Sequence, residues 1–389
     1  MTDRLGVGTF IKDEIELGSS NLDLFTLPRP DLTVVHGKTV TYYPITALND
    51  SGPFEFLITN DGNDYTYLPL TRLEGEIEVK KLDGTALGDT KNYLVNMFPH
   101  ALFKQIECEV NGVQINDLST PTYPYKAYIE THLSYSDDAK NTHLRCEYYE
   151  KDTVGKEGKI DHTEEDGNKR LTSIFSKMKK SLAFSCVLHL DFFQIYKYLL
   201  PGCNIKLKFI RHDDKFALIG DALHTKIHFK NLKISVRKLT IDPEISNSIE
   251  NTLTKTPAIY PIQPSTIRTF LIHSGLQNER LNHVFRGKMP RSIIISFVNS
   301  KGFDGEITNN PFYFRPHGLN KLNVYINGEP LLNREFEPNY DNENAIREYR
   351  WFFDNTGSQH ENETNGITYE EFCSNSAFFA LMSATLKHT

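Results

Sequence analysis

Fourteen histidines are the first residues of this chain to weigh for chemistry, because an imidazole can hold a metal or move a proton near neutral pH. None sits in a His-Glu-x-x-His pattern, and no Cys-x-x-Cys pair offers a thiolate zinc site. His224 and His228 have the i, i+4 spacing of a metal-binding helix. Thr225 stands where the catalytic glutamate belongs, however, and the run reads as a strand, which keeps the two rings from converging. His100 and His317 each follow a proline, at matching places of an internal repeat. A histidine satisfying backbone groups at a strand entrance accounts for both, and none of the four is assigned as a ligand.

Other chemistries are no better represented. No serine lies in a Gly-x-Ser-x-Gly elbow, and Gly6-Val7-Gly8 is not followed by the rest of a dinucleotide or phosphate-loop pattern. Glu164, Glu165 and Asp166 lack the register of a calcium loop and read as a solvated acidic turn. Lys177, Lys179 and Lys180 read as a solvated edge. The expectation is a protein that is not an enzyme, with no catalytic, cofactor-binding or metal-ligating residue and no cofactor.

The elements that would carry such residues are β-strands. The 389 residues include 25 Phe and 19 Tyr, and β-branched residues cluster in short alternating runs. In the first half these runs fall at residues 32–46, 54–59, 65–68, 73–80, 101–110, 182–190, 205–211 and 226–239. Eight strands suit one sandwich. In the last run Ile227 and Phe229 occupy odd positions while Leu232, Ile234 and Val236 occupy even ones, so a bulge is expected near Lys230-Asn231. Tyr125, Tyr128, Ile129 and Leu133 recur at helical spacing and predict an inserted helix. Residues 150–170, nearly devoid of apolar side chains, predict an exposed loop.

No run of eighteen apolar residues and no basic-then-apolar leader is present, so neither membrane insertion nor secretion is expected. Five scattered cysteines fit a reducing compartment. A net charge of −7 repels phosphate, which argues against direct, sequence-specific nucleic-acid binding.

Ile106-Glu107-Cys108-Glu109-Val110-Asn111-Gly112 aligns without a gap on Leu322-Asn323-Val324-Tyr325-Ile326-Asn327-Gly328, about 216 residues further on. Both read as a strand entering a type I′ turn, preceded by Pro99-His100 and Pro316-His317. The repeat implies two copies of one β domain. The second copy continues with strands at 266–273, 291–298 and 319–326, a helix carrying Ile346, Tyr349, Phe352 and Phe353, and a polar stretch at 354–366. A capped helix follows at Thr368 with Glu371, then a strand at 377–382 matching 182–190. The division is an N-terminal arm over 1–30, a first jelly roll over 31–245, a proline-rich linker over 246–262 and a second jelly roll over 263–389. Only seven residues follow Met382, so the second copy is expected to lack its last two strands.

Asn111-Gly112, then Tyr123-Pro124-Tyr125-Lys126-Ala127-Tyr128-Ile129-Glu130-Thr131, then Asn309-Asn310-Pro311-Phe312-Tyr313-Phe314 leading into the second Asn-Gly strand, follow one another in an order that resembles the double jelly-roll major capsid proteins of Polinton-like and adintovirus-like elements. The resemblance spans roughly residues 30 to 389. It implies an all-β fold of two tandem jelly rolls with short helical insertions. It also implies homotrimers forming pseudo-hexameric capsomers, with neighbouring capsomers and minor capsid proteins as partners, in a virion assembled in the host cytoplasm or nucleus.

Two other readings compete. A minor vertex capsid protein would carry one jelly roll and an unrelated domain, without the repeat. A non-viral sandwich binding module such as a lectin would group aromatics in loops at one end, yet the loop from Asn60 to Tyr65 offers only one.

Overall fold

The computed structural model describes residues 33–382 apart from 61, 159, 161–166, 286–288, 333, 343 and 359–360. The arm expected over 1–30 lies outside the described residues, as do Gly6-Val7-Gly8 and Glu164, Glu165 and Asp166.

The first half builds β1 (Val34–Tyr42), β2 (Phe54–Ile58), β3 (Asp64–Lys81), β4 (Asn92–Leu94), β5 (Phe103–Val110) and β6 (Val113–Gln114). It continues with β7 (Leu182–Val187), β8 (Ile205–Arg211), β9 (Leu218–Gly220) and β10 (Thr225–Ile241). One sheet runs β1-β10-β3-β7 and the other β2-β8-β5-β6, antiparallel throughout, with β4 and β9 a separate pair. Eight strands shared between two sheets in that order are the jelly-roll wiring. Alternation drives it: Ile205, Leu207 and Phe209 of β8 point inward while the lysines between them face out. Phe229 of β10 meets Phe54 of β2 edge-on at 5.0 Å, closing the sandwich across its two sheets.

The bulge expected in β10 is present, the register against β3 shifting between Phe229 and Asn231. The two runs read separately at 65–68 and 73–80 are one strand. Its register against β10 jumps between Tyr67 and Arg72, where Pro69, which has no N–H to give the ladder, is looped out. The run expected at 101–110 starts two residues late, because Pro99 opens a short helix, α1 (Phe98–Ala101).

Between β6 and β7 lie α2 (Tyr123–Ser134), α3 (Asp137–Asn141), a 3-10 turn over His143–Glu147, and α4 (Lys169–Met178). α2 was legible from its spacing. α4 was not, although Leu171, Ile174, Phe175 and Met178 repeat at helical intervals and all are buried. The exposed loop expected over 150–170 is corrected at both of its ends. The side chain of Asp152 is buried, accepting 2.6 Å hydrogen bonds from Arg170 Nε and Asn168 Nδ2, and Arg170 Nη1 reaches the Leu94 carbonyl at 3.1 Å. Glu157 is buried too and accepts from Asn375 Nδ2 at 2.6 Å. Polar composition therefore marks a buried, hydrogen-bonded clasp here rather than solvent, with Arg170 Nη2 and Glu157 Oε2 left without a hydrogen-bond partner among the described residues.

After the short α5 (Asp214–Ala217), β10 leads into α6 (Pro243–Leu253), capped by Asp242 and with no buried residue. The stretch read as linker thus begins as an exposed helix. The strand expected at 266–273 does not form. That segment runs along the first jelly roll as an irregular strap, tied by the Thr120 hydroxyl, which donates to the Ile267 carbonyl at 3.1 Å, and by Arg268, which donates to Ser119 Oγ at 3.3 Å. It has no ladder partner there.

The second half contains β11 (Ser292–Ile295), α7 (Ser300–Phe303), β12 (Tyr325–Ile326), β13 (Glu329–Pro330), α8 (Ile346–Thr356), α9 (Tyr369–Ser374) and β14 (Phe379–Met382). Order repeats. β11 pairs antiparallel with β14 as β3 does with β7, and the hairpin β12-β13 followed by α8 matches β5-β6 followed by α2. Asn111 and Gly112 have φ of 48° and 80°, Asn327 and Gly328 of 52° and 91°, the positive pair a type I′ turn requires. Thr368 and Glu371 form the expected capping box. The expected strand at 319–326 is reduced to its last two residues and a bridge from Leu322 to Phe336. The protein is all-β, two tandem jelly rolls with short helical insertions. Among the described residues no strand follows β14.

The buried clasp makes a prediction. Arg170→Met strands Asp152 without its cation and is expected to destabilise the fold by about 3–5 kcal/mol. Urea unfolding followed by tryptophan fluorescence measures this, and a loss below about 1 kcal/mol would show the clasp to be solvated.

Candidate functional site

Two buried assemblies stand out, and α2 belongs to both. Along one side of α2 the aromatic rings meet the second half. Tyr128 lies flat on Phe312, 4.5 Å between centroids at an interplanar angle of 2°, and Tyr125 stacks on Phe303 at 5.2 Å. His132 takes Ser376 Oγ on Nε2 at 3.0 Å and Tyr149 OH on Nδ1 at 2.8 Å. Burial holds that imidazole well below its ordinary pKa, with Lys140 and Lys151 adding to the effect, so it is neutral.

Lys140 closes the seam. Its ammonium donates to the carbonyls of His132 at 2.7 Å and Asn365 at 2.5 Å and lies 5.6 Å from the Tyr149 ring centroid. It is 1% exposed, and burial, aided by repulsion from Lys151, pushes its pKa down to about 8. Lys151 donates to the Gly366 carbonyl at 2.5 Å and pairs with Asp137 at 2.8 Å and Glu371 at 3.4 Å. These bonds join the two jelly rolls into one body.

The other assembly centres on His100 of α1, Glu147 at the end of the 3-10 turn and His189 just past β7, all buried. One potential ligand atom from each lies within 4.8 Å of the others. His100 Nε2 is 3.3 Å from Glu147 Oε2, and the Val187 N–H donates to Glu147 Oε1 at 3.0 Å. His100 Nδ1 meets Tyr123 OH at 3.1 Å, and His189 Nδ1 meets Glu130 Oε2 at 2.8 Å. Thr131 Oγ1 lies 3.3 Å from His189 Nε2. Burial lowers the His100 pKa, opposed by the carboxylate of Glu147. Tyr123, Glu130 and Thr131 all come from α2. Sequence reasoning singled out His100 but assigned it to backbone groups. The structure corrects the partner, since both its nitrogens face side chains. Glu147 and His189 were missed, being 47 and 89 residues away in sequence without local spacing.

The remaining candidates do not converge. His228 pairs with Asp50 at 2.7 Å, while His224 precedes β10 and lies 4.0 Å from Asp221. His317, at φ 51°, receives Arg315 Nε at 3.4 Å and has no part in a cluster like that of His100. Lys177 and Lys179 are exposed at the end of α4, over the rings of Tyr148 and Phe175 at 5.8 and 4.7 Å. Asn60 and Tyr65, read as an exposed loop, are buried, Asn60 accepting from Lys238 Nζ at 2.6 Å. Cys108 and Cys186 are buried thiols, and burial pushes Cys108 up to about 12. Among the described residues no helix is long and apolar enough to cross a membrane.

No family model matches the chain. It is 25% identical over 317 residues to the uncharacterized protein F54H12.2 of Caenorhabditis elegans, covering 78% of this chain and 73% of that protein. Among solved structures it is similar to the PBCV-1 virus capsid, with a TM-score of 0.50 and 12% identity over 92% of this chain and 80% of that one. It is also similar to the mavirus major capsid protein, with a TM-score of 0.35 and 11% identity over 72% of this chain and 53% of that one. The Faustovirus major capsid protein gives a TM-score of 0.37 and 10% identity, with 62% and 59% covered. The chain thus spans little more than half the length of these last two. The fold the chain shares with the PBCV-1 capsid is the double jelly roll.

The seam lysine gives a pH dependence of definite sign. An unfolded lysine titrates near 10.5 and the folded Lys140 near 8, so between those values the unfolded chain binds more protons. Its contribution to stability is expected to rise as pH goes from about 8 to about 10.5. Thermal unfolding across that range checks it against Lys140→Met, in which this increment should vanish; an identical profile in both would refute it.

Proposed function

We propose that this chain is a structural capsid protein that forms homotrimeric, pseudo-hexameric capsomers of an icosahedral shell. The single observation that carries the reading is the pair of tandem jelly rolls fused through α2. Two similar wedges per chain and three chains per ring give six similar wedges, so a trimer can fill a six-coordinated lattice position. A repeated head-to-tail contact that closes on itself is the usual route to such rings.

The surface supports the same reading. Along the strap and the residues after it, Ile259, Phe270, Leu271, Leu276 and Phe285 are exposed. A single chain in water rarely displays so many large apolar groups in one stretch, and burial against neighbouring subunits would remove them from solvent. The domain division at 31–245, 246–262 and 263–389, with 1–30 as an arm, belongs to this proposal. So do neighbouring capsomers and minor capsid proteins as partners, a virion location after assembly in host cytoplasm or nucleus, and a kinship with Polinton-like and adintovirus-like elements. A structural role without catalysis belongs to this proposal, and a net charge of −7 gives the body of the chain a field that repels phosphate. The repeat of hairpin and helix in the second half favours a double jelly roll over a one-roll vertex protein.

Size-exclusion chromatography with light scattering tests the proposal. The expected species has three times the 44.7 kDa chain mass at micromolar concentration, and Leu271→Glu with Phe285→Glu shifts it to the monomer. A wild-type protein that stays monomeric at all concentrations contradicts it.

A further inference from the structure

We infer that His100, Glu147 and His189 form a buried site for a divalent zinc-class cation, with His100 Nε2, Glu147 Oε2 and His189 Nε2 as the protein ligands. The orientation of the rings selects those atoms. His100 Nδ1 is engaged by Tyr123 OH and His189 Nδ1 by the Glu130 carboxylate, which leaves Nε2 as the candidate ligand atom of each ring, that of His189 now 3.3 Å from the Thr131 hydroxyl. A carboxylate holding the far nitrogen of a ligating histidine is the usual outer shell of a zinc site, since it fixes the ring and raises its basicity.

One ligand pair already has the bonded spacing, the three ligand atoms lie within 4.8 Å of one another, and the charges balance. Two atoms bound tetrahedrally at about 2.0–2.1 Å are about 3.3–3.4 Å apart, and His100 Nε2 and Glu147 Oε2 stand at 3.3 Å. The two rings lie 5.1 Å apart at 76°, so neither stacks over the centre. Glu147 in the inner shell and Glu130 in the outer one together balance a dication, while Lys126, 3.7 Å from Glu130, is also paired with Asp191 at 2.5 Å. The Thr131 hydroxyl, 3.3 Å from His189 Nε2, would give up that contact on metal binding and is placed to hold a water in a fourth position.

Such an ion would tie α1, the 3-10 turn and the exit of β7 to one another, and through Glu130 to α2. It would brace the first jelly roll where the helical insertion meets it. The inference stands on this geometry and does not depend on the capsid reading.

The test uses the full chain, stripped with a chelator and then titrated with ZnCl2 or CoCl2. Expected are about one tightly held zinc per chain by elemental mass spectrometry, a raised unfolding temperature, and visible ligand-field bands of tetrahedral cobalt(II). Glu147→Gln and His189→Asn should abolish the bands. Glu130→Gln, which leaves all three ligands, should weaken zinc about 10–100-fold. Circular dichroism identifies any variant that fails to fold, and the wild-type cobalt spectrum decides the matter without variants. A wild-type chain that binds neither ion at micromolar concentration, or variants that bind as wild type does, would overturn the inference.

Discussion

Tyr128 lying flat against Phe312 at 4.5 Å is the contact on which the rest of the architecture turns. α2 is an insertion within the first jelly roll, yet its aromatic side makes up part of the core of the second half, with Tyr125, Phe303 and Phe314 adding further ring contacts. Each such pair contributes about 0.5–1.5 kcal/mol beyond the area it buries. Several in one seam make the halves a single body rather than two beads on a linker. Lys140, Lys151 and His132 then hold that seam with directional bonds, which fixes orientation where stacking alone would allow sliding.

That constraint explains why α2 is also the source of Tyr123, Glu130 and Thr131 for the histidine cluster. A helix already pinned on its far side by the second jelly roll can present polar groups to the near side with little freedom to lose. The cluster and the seam therefore stabilise each other through one helix. The two halves of the chain are thus held to one another by stacked rings and by directional bonds that meet at or next to one helix.

Much of the architecture was legible in the residues. The eight runs fall on seven of the eight sandwich strands within a few residues, the phase change at Ile227, Phe229 and Leu232 located the bulge, and Asn-Gly located both turns. Local rules governed these features, so local reading found them. The strap at 266–273 reads as a strand because the second half repeats the order of the first, but a strand also needs a ladder partner, and pairing is a tertiary fact. Asp152, Glu157 and Arg170 looked like a solvated loop because composition cannot say that Arg170 pairs with Asp152 in the interior or that Asn375, 218 residues from Glu157, donates to its carboxylate. His100, Glu147 and His189 share no spacing at all, and only the fold brings them within reach.

The central claim is that one chain supplies two fused jelly rolls to a ring of six. Cryo-electron microscopy of the purified assembly tests it most directly. The account predicts a three-fold particle with six similar lobes, each chain supplying two adjacent lobes joined through α2. A particle without three-fold symmetry, or one in which the two halves of a chain take up variable orientations, would contradict it.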